Sequence, residues 1–307
     1  MSPHPTAVAH PAADRVDDQD QPGANGPELD GDEQQKAKDE ESLNASLTYE
    51  VVRREGEKEL ERSPQALAWS GLAAGLSMGF ILVAEGLLRS HLPDAPWRPL
   101  VAKLGYCVGF LIVILGSQQL YTENTLTPIV PLLSRKSGET LVRVLRLWAI
   151  VLVTNFLGTI VFAWVVARTT LFDPEVHTAF LGVASETLRG DFATTLLRAI
   201  FAGWLIALMV WMLPGAKEAQ LAVIVAMTYL VGVGGLAHIV AGSTEASYLV
   251  ARGAATWGDY FGRFVAPALL GNTLGGVTLV AALNHAQVVG GNKGRIRRHS
   301  DHGAPTR

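Results

Sequence analysis

The chain has 307 residues, of which 49% are hydrophobic and only 17% charged, with a net charge of -3 and a mean hydropathy of +0.25. Such values are unusual for a water-soluble chain of this length. A single cysteine, Cys107, excludes an intramolecular disulfide framework and any multi-cysteine metal site.

The charges are unevenly spread. The first stretch carries Asp14, Asp17, Asp18, Asp20, Asp30, Asp32, Glu33, Asp39, Glu40 and Glu41 among Pro, Gly and Gln, too polar to build a core. Residues 1–47 therefore read as a disordered acidic cytoplasmic tail, and most of the net charge belongs to it rather than to a partner-binding face. No basic segment leads into an apolar run at the N-terminus, so no secretory signal is expected. Residues 48–63 ("TYEVVRREGEKELERS") combine good helix formers with charges three and four apart, which predicts a short surface helix ending before Pro64.

Residues 64–288 read as membrane-spanning, because a helix needs roughly 20 apolar residues to cross about 30 Å of hydrocarbon. Six candidate spans lie at about 66–88, 104–133, 145–167, 193–213, 219–250 and 264–286. One set of their ends gathers Arg53, Arg54, Lys58, Arg62, Arg135, Lys136, Arg143, Arg146, Lys217, Lys293, Arg295, Arg297 and Arg298; the other has Arg89, Arg98, Lys103, Arg168, Arg189, Arg198, Arg252 and Arg263. The positive-inside rule places both termini in the cytoplasm, as an even number of spans requires. The basic stretch 289–307 then reads as a flexible cytoplasmic tail and an orientation signal rather than a nucleic-acid site. Trp69, Trp97, Trp148, Trp211 and Trp257 near span ends fit an aromatic belt, and His91 and His285 near span ends receive no role.

Two spans are too long. About 30 residues of helix at 1.5 Å each reach about 45 Å, so something must break or tilt them. In the second span the interruption is "SQQLYTENTLTPIVP", with Gln118, Gln119, Glu123, Asn124, Pro128 and Pro131; in the fifth it is "GVGGLAHIVAGSTE", with a lone histidine, His238. Irregular backbone at membrane depth is tolerated only where protein buries it or a wet cavity adjoins it. Two kinked helices inside a bundle are one reading; two discontinuous helices meeting at a pore are the other. Position favours the second, since these are the middle spans of the first and last three. "NFLG" at 155–158 and "NTLG" at 272–275 fall in the third spans of the two halves. A repeated three-span unit must be inverted in the membrane, with the substrate path where the paired broken helices meet.

"QLYTENTL", "NFLG", "HIVAGS" and "GNTLGG", in this order over about 66–286, resemble the formate/nitrite transporter family. The resemblance implies an aquaporin-like all-α integral membrane fold, six transmembrane helices in a 3+3 inverted repeat with broken second and fifth helices, and a homopentamer in which each protomer holds its own channel for small monovalent anions. It maps the family's loop threonine onto Thr122, the constriction beside it onto Leu120 and Tyr121, the central histidine onto His238, and the asparagines of the third and sixth helices onto Asn155 and Asn272. The chain departs from the family pattern at Gln119 and Ala237, where acidic residues are usual, at Glu123, where a small residue is usual, and at Leu236, where an aromatic is usual. The substrate is therefore not carried over with the fold.

The residues also make physical sense unaided. A histidine at membrane depth rests neutral and is able to donate a hydrogen bond or a proton to an arriving anion, and protonating a weak acid removes most of its charge-burial penalty. Thr122 offers a hydroxyl, and amides of the loop and of a half-helix starting near Thr125 add donors at a favourable dipole end. Competing readings remain open: an interhelical hydrogen bond for His238 and interhelical glue for Asn155 and Asn272, and capping for Thr122 and Asn124. Glu123, a carboxylate on an anion path, has three escapes: it is protonated, it turns away to cap the half-helix, or the cargo is not an anion.

Two rivals come from other classes. An intramembrane serine hydrolase using Ser243 lacks a Gly-x-Ser-x-Gly elbow, and a non-conducting scaffold or sensor keeps the fold while the acidic tail binds a partner. The favoured expectation is a multi-pass protein of the cytoplasmic (inner) membrane, not an enzyme, that passes small monovalent anions such as formate or nitrite, or their neutral acids. Its partners are the lipid bilayer and copies of itself, with no nucleic acid, metal or cofactor; a neutral solute is the alternative cargo.

Overall fold

The computed structural model describes residues 31–283 and residue 286, which are all-helical and contain no strand. The acidic segment before Gly31, His285 and the basic stretch from 289 onward lie outside the described residues. By internal contacts the chain divides into Met1–Glu41 and a main unit, Ser42–Arg307, and the site lies in the main unit.

Helix α1 runs Gly31–Glu61. It is longer than the segment 48–63 expected from charge spacing, so residues 31–47 are not wholly a disordered tail. The physical reason lies in Gln34, Gln35, Lys36, Ala37 and Lys38, strong helix formers whose propensity outweighs an acidic composition. A Ser63 side chain accepting the Ala66 N–H (3.2 Å) and Pro64 in the first turn then restart the chain as α2 (Pro64–Met78), continued past Gly79 by α3 (Phe80–His91). A short α4 (Arg98–Ala102) leads into α5 (Tyr106–Leu115). After an irregular stretch come α6 (Ile129–Arg135) and the unbroken α7 (Gly138–Arg168). Next are α8 (Pro174–Thr187) and α9 (Phe192–Met212). The Asp191 side chain caps α9 by accepting the Thr194 N–H at 2.8 Å, and its bonds from Thr194 hold the Asp191 carboxyl below the ordinary carboxylate range. Helices α10 (Gln220–Val233) and α11 (Ile239–Ala251) follow. The chain then runs through π-helical turns around α12 (Ala266–Leu274).

Four helical stretches among the described residues are long and apolar enough to cross a membrane: Pro64–His91, Arg98–Leu115, Gly138–Arg168 and Phe192–Gly215. The expected second and fifth spans are interrupted after Leu115 and Val233, so α10 and α11, with 14 and 13 residues, are each too short alone. Along α7, Val153, Leu157, Val161 and Val165 form a stripe at i, i+4 spacing, each more than half exposed. An apolar stripe of this kind needs lipid or another protein surface to cover it.

The most extensive packing pairs α2 with α7 and α9 with α12. Glycines close both pairs; among them, a Cβ on Gly75 would overlap the Asn155 carbonyl, and a Cβ on Gly203 would overlap the Asn272 carbonyl. Small residues permit this backbone approach, and it brings Asn155 and Asn272 within reach of the two interrupted helices.

Candidate functional site

Helix α5 ends in a left-handed turn at Ser117 (φ 51°), and α10 ends the same way at Gly235 (φ 58°). In the first, Ser117 N–H bonds the Ile114 carbonyl at 3.1 Å and Gln118 N–H that of Val113 at 2.9 Å. In the second, Gly235 N–H bonds the Gly232 carbonyl at 3.1 Å and Leu236 N–H that of Val231 at 3.0 Å. These paired bonds satisfy carbonyls left open at a helix end and turn the chain sharply.

Three residues beyond each turn, an asparagine holds the backbone. The Asn155 carbonyl oxygen accepts Tyr121 N–H at 3.0 Å, and its amide donates to the Gln119 carbonyl at 2.9 Å and the Gly71 carbonyl at 2.8 Å. The Asn272 carbonyl oxygen accepts Ile239 N–H at 2.7 Å, and its amide donates to the Ala237 carbonyl at 2.9 Å and the Ala199 carbonyl at 2.7 Å. Each side chain is fully buried and clasps the residues on either side of one position: Leu120 in the first break, His238 in the second. Both asparagines thus spend their polar atoms on backbone.

His238 caps α11, its Nδ1 accepting the Ala241 N–H at 3.2 Å. An Nδ1 that accepts assigns the proton of the neutral ring to Nε2, and Nε2 lies 2.7 Å from Thr122 Oγ1. The histidine therefore donates to the threonine. Both residues are buried, and Phe110 packs edge-on against the ring with centroids 4.9 Å apart. Capping, expected as a competing role for Thr122, falls instead to His238.

Two cavities approach this pair from opposite ends of the same helices. The larger, about 890 Å³, is lined by the ends of α5 and α9 at Leu115 and Val210, the start of α10 at Gln220, residues Glu55 and Glu59 of α1, and Gln119, Glu123 and Asn124 of the break. The smaller, about 50 Å³, is lined by Tyr106 near the start of α5, Thr195 and Arg198 near the start of α9, and Gly235, Leu236, Ala237 and His238. Thr122 borders neither, and its bond to His238 bridges the gap. Leu120 and Tyr121 are buried beside it; the Tyr121 hydroxyl is 2.9 Å from Thr273 Oγ1, so Tyr121 turns toward α12 rather than into a cavity.

Asn124 closes the loop on itself, its amide donating to Gln119 Oε1 at 3.0 Å and the Leu120 carbonyl at 3.1 Å. Trp148 Nε1–H donates to the Asn124 carbonyl at 2.8 Å. The half-helix after the break starts at Ile129, not near Thr125, because Pro128 sets its first turn. Glu123 opens a short 3₁₀ turn, Glu123–Thr125, and one of its carboxyl oxygens is shielded from solvent with no partner among the described residues. Neither this turn nor α6 has a side-chain cap, so Glu123 caps no helix among the described residues.

Ser243 bonds Thr159 Oγ1 at 3.0 Å and the Tyr260 hydroxyl at 2.5 Å, while both ring nitrogens of His238 are engaged elsewhere. Ser243 and His238 therefore do not pair as nucleophile and base. A charged cluster beside the smaller cavity escaped sequence reading: Lys103 Nζ lies 2.6 Å from Glu85 and 3.1 Å from Glu186, Arg89 lies 3.0 Å from Glu186, and Thr187 donates to buried Glu245. The available signal was the presence of Glu85 and Glu245 inside apolar spans, where a carboxylate demands a partner.

Comparison with known proteins agrees with this geometry. The family model described as "Formate/nitrite transporter" matches residues 46–286. The chain belongs to the formate/nitrite transporter family. It is 40% identical over 267 residues to the inner membrane protein YfdC of Escherichia coli, covering 85% of this chain and 86% of that one. It is 29% identical to the formate channel BtFdhC of Bacillus thuringiensis, covering 75% of this chain and 90% of that one. Among solved structures, a pentameric formate channel with formate bound superposes with a TM-score of 0.58 at 18% identity, over 75% of this chain and 96% of the other. At that identity the superposition speaks for the fold alone.

Proposed function

We propose that residues 64–288 cross the cytoplasmic membrane six times as two inverted three-span units, assemble as a homopentamer, and pass small monovalent anions such as formate or nitrite, or their neutral acids, through each protomer. The observation that carries this reading is the Thr122–His238 pair, held between two opposed cavities by two asparagine clasps of the same design. The clasps support the inverted repeat, since Val113, Ser117 and Gln119 of one break do what Val231, Gly235 and Ala237 do in the other. The exposed stripe on α7 and the pentameric formate channel of like fold support the assembly. The lysines and arginines at the α1 side support placing both termini in the cytoplasm.

In this reading the cargo meets an uncharged donor. When Thr122 turns aside, the Nε2–H of His238 is free to donate to an anion oxygen, and transfer of that proton, matched by uptake on the ring of a proton entering through the smaller cavity, leaves both the acid and the histidine neutral, so the cargo passes Leu120 without the full cost of a charge in an apolar constriction. Glu123 and Asn124 stand at one mouth of the path and Leu236 at the other. The path uses no cofactor, and the protein makes or breaks no covalent bond of its cargo other than the one to the proton. The test is a proteoliposome flux panel of formate, nitrite and an uncharged solute of similar size at acid and neutral pH. Formate or nitrite flux that rises with acidity supports the reading; flux of the uncharged solute alone, or no flux, overturns it.

A further inference from the structure

The two mouths differ in charge. Around the larger cavity stand Glu55, Glu59 and Glu123 against one lysine, Lys217. Around the smaller stand Lys103, Arg189 and Arg198 with Glu186 and Glu245. Lys103 is committed to Glu85 and Glu186, and Glu186 is matched further by Arg89. Neither Arg189 nor Arg198 forms an ion pair among the described residues. Arg198 is half-buried and its Nη1 donates to the Arg189 carbonyl at 3.0 Å, which keeps one guanidinium against the turn that carries the other. That turn is fixed from a second side by Arg263, whose Nη2 donates to the Leu188 carbonyl at 3.0 Å, and by Gly190 in the left-handed region (φ 113°). Two uncommitted cations are therefore held at the rim of the cavity that ends on His238.

We infer that Arg189 and Arg198 form a capture point for a small monovalent anion, so that the path half-saturates at a lower anion concentration from this mouth than from the acidic mouth under α1. The inference rests on the transport reading above. A fixed charge at a narrow mouth concentrates counter-ions there, and unlike charges a few ångströms apart in a water-like medium gain about threefold in occupancy per charge. A passive path must keep the ratio of maximal rate to half-saturation equal in the two directions at zero voltage and equal pH. The asymmetry therefore shows in half-saturation and maximal rate together and not in their ratio.

The experiment measures formate flux into proteoliposomes of known protein orientation, at equal pH and zero voltage, over a range of formate concentrations from each side. The parent is expected to half-saturate at least about threefold lower from the Arg198 mouth, and high salt is expected to narrow that gap. Arg189→Gln is the primary variant because its side chain makes no hydrogen bond or ion pair among the described residues; it should raise the lower half-saturation about threefold. Arg198→Lys, which keeps the charge, should preserve most of the asymmetry, whereas Arg198→Gln should not. Equal half-saturation from both sides in the parent, or an unchanged value in Arg189→Gln with flux intact, overturns this inference alone. An absence of formate flux in the parent overturns the transport reading and the capture point with it.

Discussion

Replacing Asn272 with Asp keeps the shape of the clasp and inverts half of its chemistry. The carboxylate still accepts the Ile239 N–H, but it has no hydrogen to give the Ala237 and Ala199 carbonyls, which now receive donors at 2.9 Å and 2.7 Å. Two buried carbonyls lose their partners and a negative charge is set against them. Each buried group left unsatisfied costs about 1–3 kcal/mol, and more when a charge is involved, so the change costs roughly 3–6 kcal/mol. For a unit of this size that corresponds to a fall in Tm of roughly 6–24 °C. The Asn155→Asp variant should behave alike, because its contacts to Tyr121, Gln119 and Gly71 match one for one. The assay is a thermal melt of detergent-solubilised oligomer followed by size-exclusion recovery, with formate flux on whatever survives. If either variant melts within a few degrees of the parent and conducts normally, the asparagines do not hold the breaks.

Close packing predicts that Gly75→Ala and Gly203→Ala each sharply reduce the yield of folded protein, since the new methyl meets a backbone carbonyl, whereas Gly262→Ala, with open space around it, leaves yield unchanged. Because two like charges about 4 Å apart repel by about 4 kcal/mol at intermediate dielectric, Glu123→Gln should raise formate flux more at neutral than at acid pH. An unchanged ratio of fluxes at the two pH values removes Glu123 from the path. The Asp191 carboxyl is held below its ordinary range by Thr194, so its cap stabilises α9 above the unfolded-state carboxylate pKa and is lost as pH falls through the folded value. Asp191→Ala should therefore lower Tm at neutral pH, and the difference from the parent should shrink in acid.

Much of the fold was legible because the bilayer imposes length: runs near 30 residues are too long for one straight span and had to be broken or tilted, and both breaks lie where polar and glycine residues interrupt the runs. The lone histidine was legible for the same reason. What composition left open was the choice between pore and glue for Asn155 and Asn272, since an amide beside glycine fits both until its partners are seen. The charged cluster around Lys103 was missed because its members lie on α3, α5's approach, α8 and α11, and sequence spacing says nothing of such meetings. The early start of α1 was missed for an opposite reason, acidic composition having been weighed above the helix propensity of Gln, Lys and Ala.

His238 has two jobs, one for each ring nitrogen, and asparagine separates them. Asn is among the best helix caps, so His238→Asn keeps an acceptor for the Ala241 N–H while removing the group able to hand over a proton. Formate flux in proteoliposomes across acid and neutral pH, parent beside His238→Asn, should show a folded oligomer whose flux is low and no longer follows pH as the parent's does. The same flux and pH profile in both proteins would contradict a proton-donating ring at the Thr122 contact.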